Sequence, residues 1–120
     1  MNLRNILTSA AFSVGLVLNA SVAVAHGKGM MTMPSNGQTV GTDTKVMHLM
    51  FTDPMQITIV KMKAPDGNTY QINGPAANKA VKTWEGSLPE LAPGNYQIDW
   101  RGMSSDGHAM NGSFAFSVEN

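Results

Sequence analysis

Residues 95–102 read N-Y-Q-I-D-W-R-G. Tyr96, Ile98 and Trp100 alternate with Gln97, Asp99 and Arg101, so one face is apolar and the other polar. In an extended chain successive side chains point to opposite faces. The period here is two rather than 3.6, and the stretch predicts a half-buried strand. Downstream, S-F-A-F-S-V (113–118) gathers Phe114, Phe116 and Val118 on one side. Upstream, V-M-H-L-M-F (46–51) sets Val46, His48 and Met50 against Met47, Leu49 and Phe51. Q-I-T-I-V-K-M (56–62) is rich in the β-branched residues that suit a pleated surface.

Turn residues separate these runs. The expected turns are Pro34-Ser35-Asn36-Gly37, Asp53-Pro54, Pro65-Asp66-Gly67-Asn68, Asn73-Gly74-Pro75, Pro93-Gly94-Asn95 and Asn111-Gly112. One short helical turn is expected at residues 76–81. Short strands punctuated in this way predict an all-β sandwich or barrel. L-A-P-G-N-Y (91–96) resembles the tyrosine corner of immunoglobulin-like sandwiches, in which a hydroxyl at a strand entry bonds back to upstream backbone. If Tyr96 is instead a plain core aromatic, the fold class is the same. No internal repeat or second domain is visible in the 120 residues.

The first 25 residues have the three parts of a secretory leader: Arg4, a mostly apolar run from Ile6 to Leu18, and the small-residue ending Ala23-Val24-Ala25. The apolar run is shorter than the roughly 20 residues of a membrane span. The expected organisation is a cleaved signal peptide at 1–25 and one exported domain at 26–120, with no membrane insertion once the leader is removed. There are no cysteines, so the domain holds together by packing alone and has no thiolate for a metal. Eight basic residues balance eight acidic ones, which leaves no footprint for nucleic acid. No glycine-rich phosphate loop is present.

Cleavage after Ala25 would make His26 the first residue. An N-terminal histidine offers two nitrogens, its α-amine and imidazole Nδ1, which close a chelate ring on one metal ion. His108 lies in S-S-D-G-H-A-M-N-G (104–112), with Asp106 two positions before it, and side chains two apart in an extended segment point the same way. By itself a D-x-H pair more often means an aspartate accepting a hydrogen bond from its neighbour. With the N-terminal chelate added, two imidazoles, an amine and a carboxylate make a tetragonal N,O set, which favours Cu(II). The amine has an ordinary pKa near 8, so binding weakens as pH falls.

The expected mature chain resembles the CopC family of periplasmic copper-binding proteins. The likeness rests on the histidine at the cut site, the strand to Pro34, N-G-Q-T-V (36–40), and H-L-M-F-T-D (48–53). Its most specific part is L-A-P-G-N-Y-Q-I-D-W-R-G-M-S-S-D-G-H-A-M-N-G-S-F-A-F-S-V (91–118). The resemblance implies an immunoglobulin-like Greek-key β-sandwich or barrel of about seven strands. It implies Cu(II) ligands at His26, Asp106 and His108, and a further acid at Asp53, where many members carry glutamate. The function implied is a non-enzymatic periplasmic copper carrier or buffer in copper homeostasis or resistance. Copper handling ends in transfer, so an inner-membrane copper transporter is the expected partner.

The chain departs from the family in one respect. Two-site members have a methionine-rich Cu(I) loop in mid-chain, whereas K-M-K-A-P-D-G-N-T-Y-Q-I-N-G (61–74) holds only Met62. Of the ten methionines, Met30, Met31, Met33, Met47, Met50 and Met55 cluster early. Filling core gaps is the favoured reading for them. The alternative is a weak Cu(I) site of Met30, His48 and Met50, because thioethers suit Cu(I). Two further alternatives are a copper-dependent oxidative enzyme and a metal-free immunoglobulin-like interaction module. The first lacks a flat aromatic surface for a polymer, and the second leaves His26 and the S-S-D-G-H loop without a role.

Overall fold

The computed structural model describes residues 30–120. Seven strands follow in chain order: β1 (Met30–Met33), β2 (Thr39–Gly41), β3 (Val46–Lys63), β4 (Thr69–Gln71), β5 (Ala80–Ser87), β6 (Gly94–Ser104) and β7 (Ala109–Glu119). No helix occurs among the described residues. The all-β fold expected from the alternation, and the sandwich of about seven strands that the resemblance implied, is the fold adopted.

β3 organises the sandwich. Its first part, from Val46 to Met50, pairs antiparallel with β5 on one side and with β1 on the other. Its second part, from Met55 to Lys63, pairs with β6, and its last residues pair with β4. β7 lies antiparallel beside β6 and carries β2 parallel on its far edge. One strand therefore serves both layers. Met47, Leu49 and Trp84 from the first meet Val60, Met62, Ile98, Trp100, Phe114 and Phe116 from the second in a single buried core. Each such side chain contributes on the order of 1.5–3 kcal/mol by leaving water.

Three sequence expectations are corrected. Asp53-Pro54 is not a turn between two strands but lies inside β3, where the register against β5 slips between Met50 and Met55. Proline has no N–H for a ladder, and an irregularity of this kind accommodates it. A second slip against β6, between Ile57 and Ile59, changes which residues face inward. Met55 and Ile57 are buried before it, Val60 and Met62 after it. Side chains alternate with a period of two, so one extra residue moves the apolar set to the other parity.

Asn111-Gly112 is also not a turn; it lies within β7, paired with Arg101 and Trp100. Gly112 is there because the Trp100 indole crosses it: a Cβ at that position would sit 2.6 Å from Nε1. Residues 76–81 form no helix. Lys79 N–H bonds to the Ala76 carbonyl at 3.2 Å, closing a turn, and β5 then begins at Ala80.

The tyrosine corner is formed. Tyr96 hydroxyl donates to the Ala92 carbonyl at 2.7 Å. Its ring stacks on Phe116 with centroids 5.4 Å apart and planes 10° from parallel. Burial pushes the Tyr96 hydroxyl pKa up, against the lowering effect of the Ala92 bond.

Candidate metal centre

β6 and β7 form a long hairpin whose tip is Ser105-Asp106-Gly107-His108. Ser104 N–H bonds to the His108 carbonyl at 2.9 Å, and Gly107 N–H to the Ser104 carbonyl at 2.9 Å. Gly107 has φ of +88°, a left-handed conformation that residues with a Cβ resist. This tight closure brings Asp106 and His108 into contact.

Within the tip, His108 Nδ1 lies 2.9 Å from Asp106 Oδ2. Ser104 hydroxyl donates to Asp106 Oδ1 and accepts from His108 N–H at 3.2 Å. Both carboxylate oxygens are thus engaged. Ser104 hydroxyl chiefly holds the Asp106 carboxyl below its ordinary pKa; the backbone N–H and ring of His108 add to this, while desolvation opposes it. The His108 and Asp106 side chains are 77% and 65% exposed, so the pair is open to a solute.

The chemistry of that arrangement is specific. An imidazole whose Nδ1–H is held by a carboxylate has a fixed tautomer and presents Nε2 as a lone-pair donor. The D-x-H pair of the sequence is therefore assembled as an oriented, accessible nitrogen donor.

The other expected ligands stand differently. Asp53 is exposed on β3, two residues before Met55, which pairs with Ser104 at the base of the hairpin tip. It lies near the same end of the sheet. Among the described residues, however, no three histidine, aspartate or glutamate side chains come together to hold a metal. His26 lies outside the described residues. The first strand starts at Met30, opposite Phe51 of β3.

The trio Met30, His48 and Met50 is not assembled. Met30 pairs with Phe51 and packs against the core, while His48 and Met50 occupy the opposite face of β3. Core filling holds for Met47, Met55 and Met62, all buried, but not for Met31, Met33, Met103 and Met110, all exposed. Sequence reasoning missed two partners. Ser104 had a signal, a hydroxyl two residues before Asp106. Glu85, whose Oε1 is 3.3 Å from His48 Nε2, had none, since cross-strand pairing brings it there from 37 positions away.

The CopC domain profile matches residues 30–119 of the chain. Copper resistance protein C of Xanthomonas campestris pv. juglandis is 28% identical over 125 residues, spanning 97% of this chain and 97% of that protein. Copper resistance protein C of Pseudomonas syringae pv. tomato is 29% identical over 119 residues, spanning 90% and 91%. Among solved structures, CopC from Methylosinus trichosporium OB3b superposes with a TM-score of 0.62 at 26% identity, covering 76% of this chain and 97% of that one. PcoC, a copper resistance protein from Escherichia coli, shares the fold with a TM-score of 0.57 at 20% identity, over 78% and 100% of the two chains.

Proposed function

Because the chain belongs to the CopC family, we propose that it is a periplasmic Cu(II)-binding protein, a carrier or buffer rather than an enzyme. Copper is its cargo. The observation that carries this reading is the His108–Asp106 contact of 2.9 Å at an exposed hairpin tip, which leaves Nε2 of His108 free as a donor.

On this reading the leader is removed after Ala25, and His26 supplies its α-amine and imidazole. Three residues lie between His26 and Met30, so four Cα steps make a tether of at most about 14 Å. Met30 stands opposite Phe51, two residues from Asp53, so the tether starts close to the middle of β3, where Met55 pairs with Ser104 beside the hairpin tip. Asp106 serves first to hold the His108 ring, and its carboxylate retains lone pairs for the metal. Asp53 is the neighbouring carboxylate. A nitrogen-rich set completed by oxygen favours Cu(II). The recipient of the copper is a membrane copper transporter.

The test compares Cu(II) affinity, by competition titration with EPR of the bound ion, in three proteins. The first begins at His26, the second carries one extra residue before it, and the third is His108→Ala. The first binds one equivalent tightly. Each of the others weakens by about tenfold or more, the equivalent of about 1.4 kcal/mol per decade. Equal affinity with and without the extra residue refutes the amine chelate.

A further inference from the structure

The outer face of the layer formed by β1, the first part of β3 and β5 carries a cluster that the hairpin tip does not use. In the β1–β3 pair, Met31 stands opposite Met50 and Met33 opposite His48. Directly paired residues of an antiparallel ladder project to the same side, with Cβ atoms about 4.5–5.5 Å apart. That side faces away from the core, because Met47 and Leu49 on the same strand are fully buried on the other. Met31 and Met33 are 67% and 54% exposed, and the His48 side chain is 26% exposed. Methionine is a residue type more often found inside.

β5 adds a further element. Glu85 pairs with His48 across the β3–β5 ladder, and its Oε1 engages His48 Nε2 at 3.3 Å. A carboxylate on one ring nitrogen fixes the tautomer and turns the other nitrogen, Nδ1, into a lone-pair donor. Three thioethers and one oriented imidazole thus occupy four adjoining positions on two paired strands. The backbones are rigid, while the unbranched methionine side chains are flexible enough for their sulfurs to converge.

We propose that Met31, Met33, Met50 and His48 form a site for a soft monovalent cation, Cu(I), separate from the hairpin tip. Thioether sulfur is a soft donor that suits Cu(I), whereas harder divalent ions prefer oxygen and nitrogen. The donor set is neutral, and the Glu85 carboxylate beside it offsets the charge of the bound ion. This site does not depend on the Cu(II) reading of the hairpin.

The experiment titrates the purified protein, carrying 13C-methyl-labelled methionine, with Ag(I) as a redox-inert stand-in for Cu(I). NMR follows each methyl, and anaerobic competition with a chromogenic Cu(I) chelator gives the affinity. The methyls of Met31, Met33 and Met50 shift together and saturate at one equivalent, while those of buried Met47, Met55 and Met62 stay in place. The double variant Met31→Leu/Met33→Leu keeps apolar volume at exposed positions, and His48→Gln keeps a polar side chain. Each weakens Cu(I) binding by about tenfold or more, and His108→Ala leaves it unchanged. Shifts confined to Met103 and Met110, loss of binding in His108→Ala, or absence of saturable binding overturns the proposal.

Discussion

Tyr96→Phe removes one oxygen and nothing else. The ring keeps its stacking on Phe116 and its place in the core, so the change isolates the 2.7 Å bond from the hydroxyl to the Ala92 carbonyl. A hydrogen bond of this kind contributes about 0.5–1.5 kcal/mol net, and the carbonyl left without its partner adds to the loss. The expected destabilisation is about 1–2 kcal/mol. A domain of this size loses about 4–8 °C of melting temperature per kcal/mol, so a fall of about 4–16 °C follows. Thermal unfolding by circular dichroism measures it, and urea titration checks that the m-value is unchanged.

The same variant has a pH signature. Burial raises the Tyr96 hydroxyl above its ordinary pKa of about 10. The folded state therefore holds this proton more tightly than the unfolded state. The stability linked to it is fully present below about pH 10 and is lost as pH rises through the folded value. Tyr96→Phe removes that part of the alkaline decline. Cu(II) affinity stays at the parent value, because Tyr96 is eight residues along β6 from Ser104, about 26 Å. An unchanged melting temperature, or an alkaline decline identical to the parent's, refutes the corner as a stabilising contact.

Three further outcomes are expected. Gly112→Ala drives a Cβ into the Trp100 indole, whose position is fixed by the β6–β7 ladder, and costs about 1–3 kcal/mol in urea unfolding; a melting temperature at or above the parent's contradicts this. Ser104→Ala removes the main cause of the lowered Asp106 pKa, so NMR titration finds that carboxyl moved up toward the ordinary range; no movement assigns the effect to His108 instead. Asp53→Ala weakens Cu(II) binding less than His108→Ala does, since Asp53 is not part of the assembled hairpin tip; equal losses in competition titration disprove the ranking.

The hairpin pair was legible because it is local. Asp106, Gly107 and His108 are consecutive, and a glycine between two polar residues at a strand end leaves few ways to turn. The tyrosine corner was legible for the same reason, since Tyr96 and Ala92 are four positions apart. Asp53-Pro54 misled because a proline usually ends a strand; here an irregularity in the ladder carries it, and β3 continues into the second layer. Asn111-Gly112 misled because the glycine answers to a tryptophan on the neighbouring strand, not to a turn.

The sequence by itself determined the strand class, the identity of the core faces in β6 and β7, and the pairing of Asp106 with His108 at the hairpin tip. Each of these follows from steric alternation or from spacing within a few residues. The tertiary structure decided which methionines share a face with His48. Met30 and Met31 are neighbours in sequence, yet one packs on the core and the other stands exposed beside Met50. Only the β1–β3 register settles that assignment, because shifting an antiparallel pairing by one residue exchanges the two faces. Register is set by contacts between distant segments, and β5 delivers Glu85 to His48 in the same way.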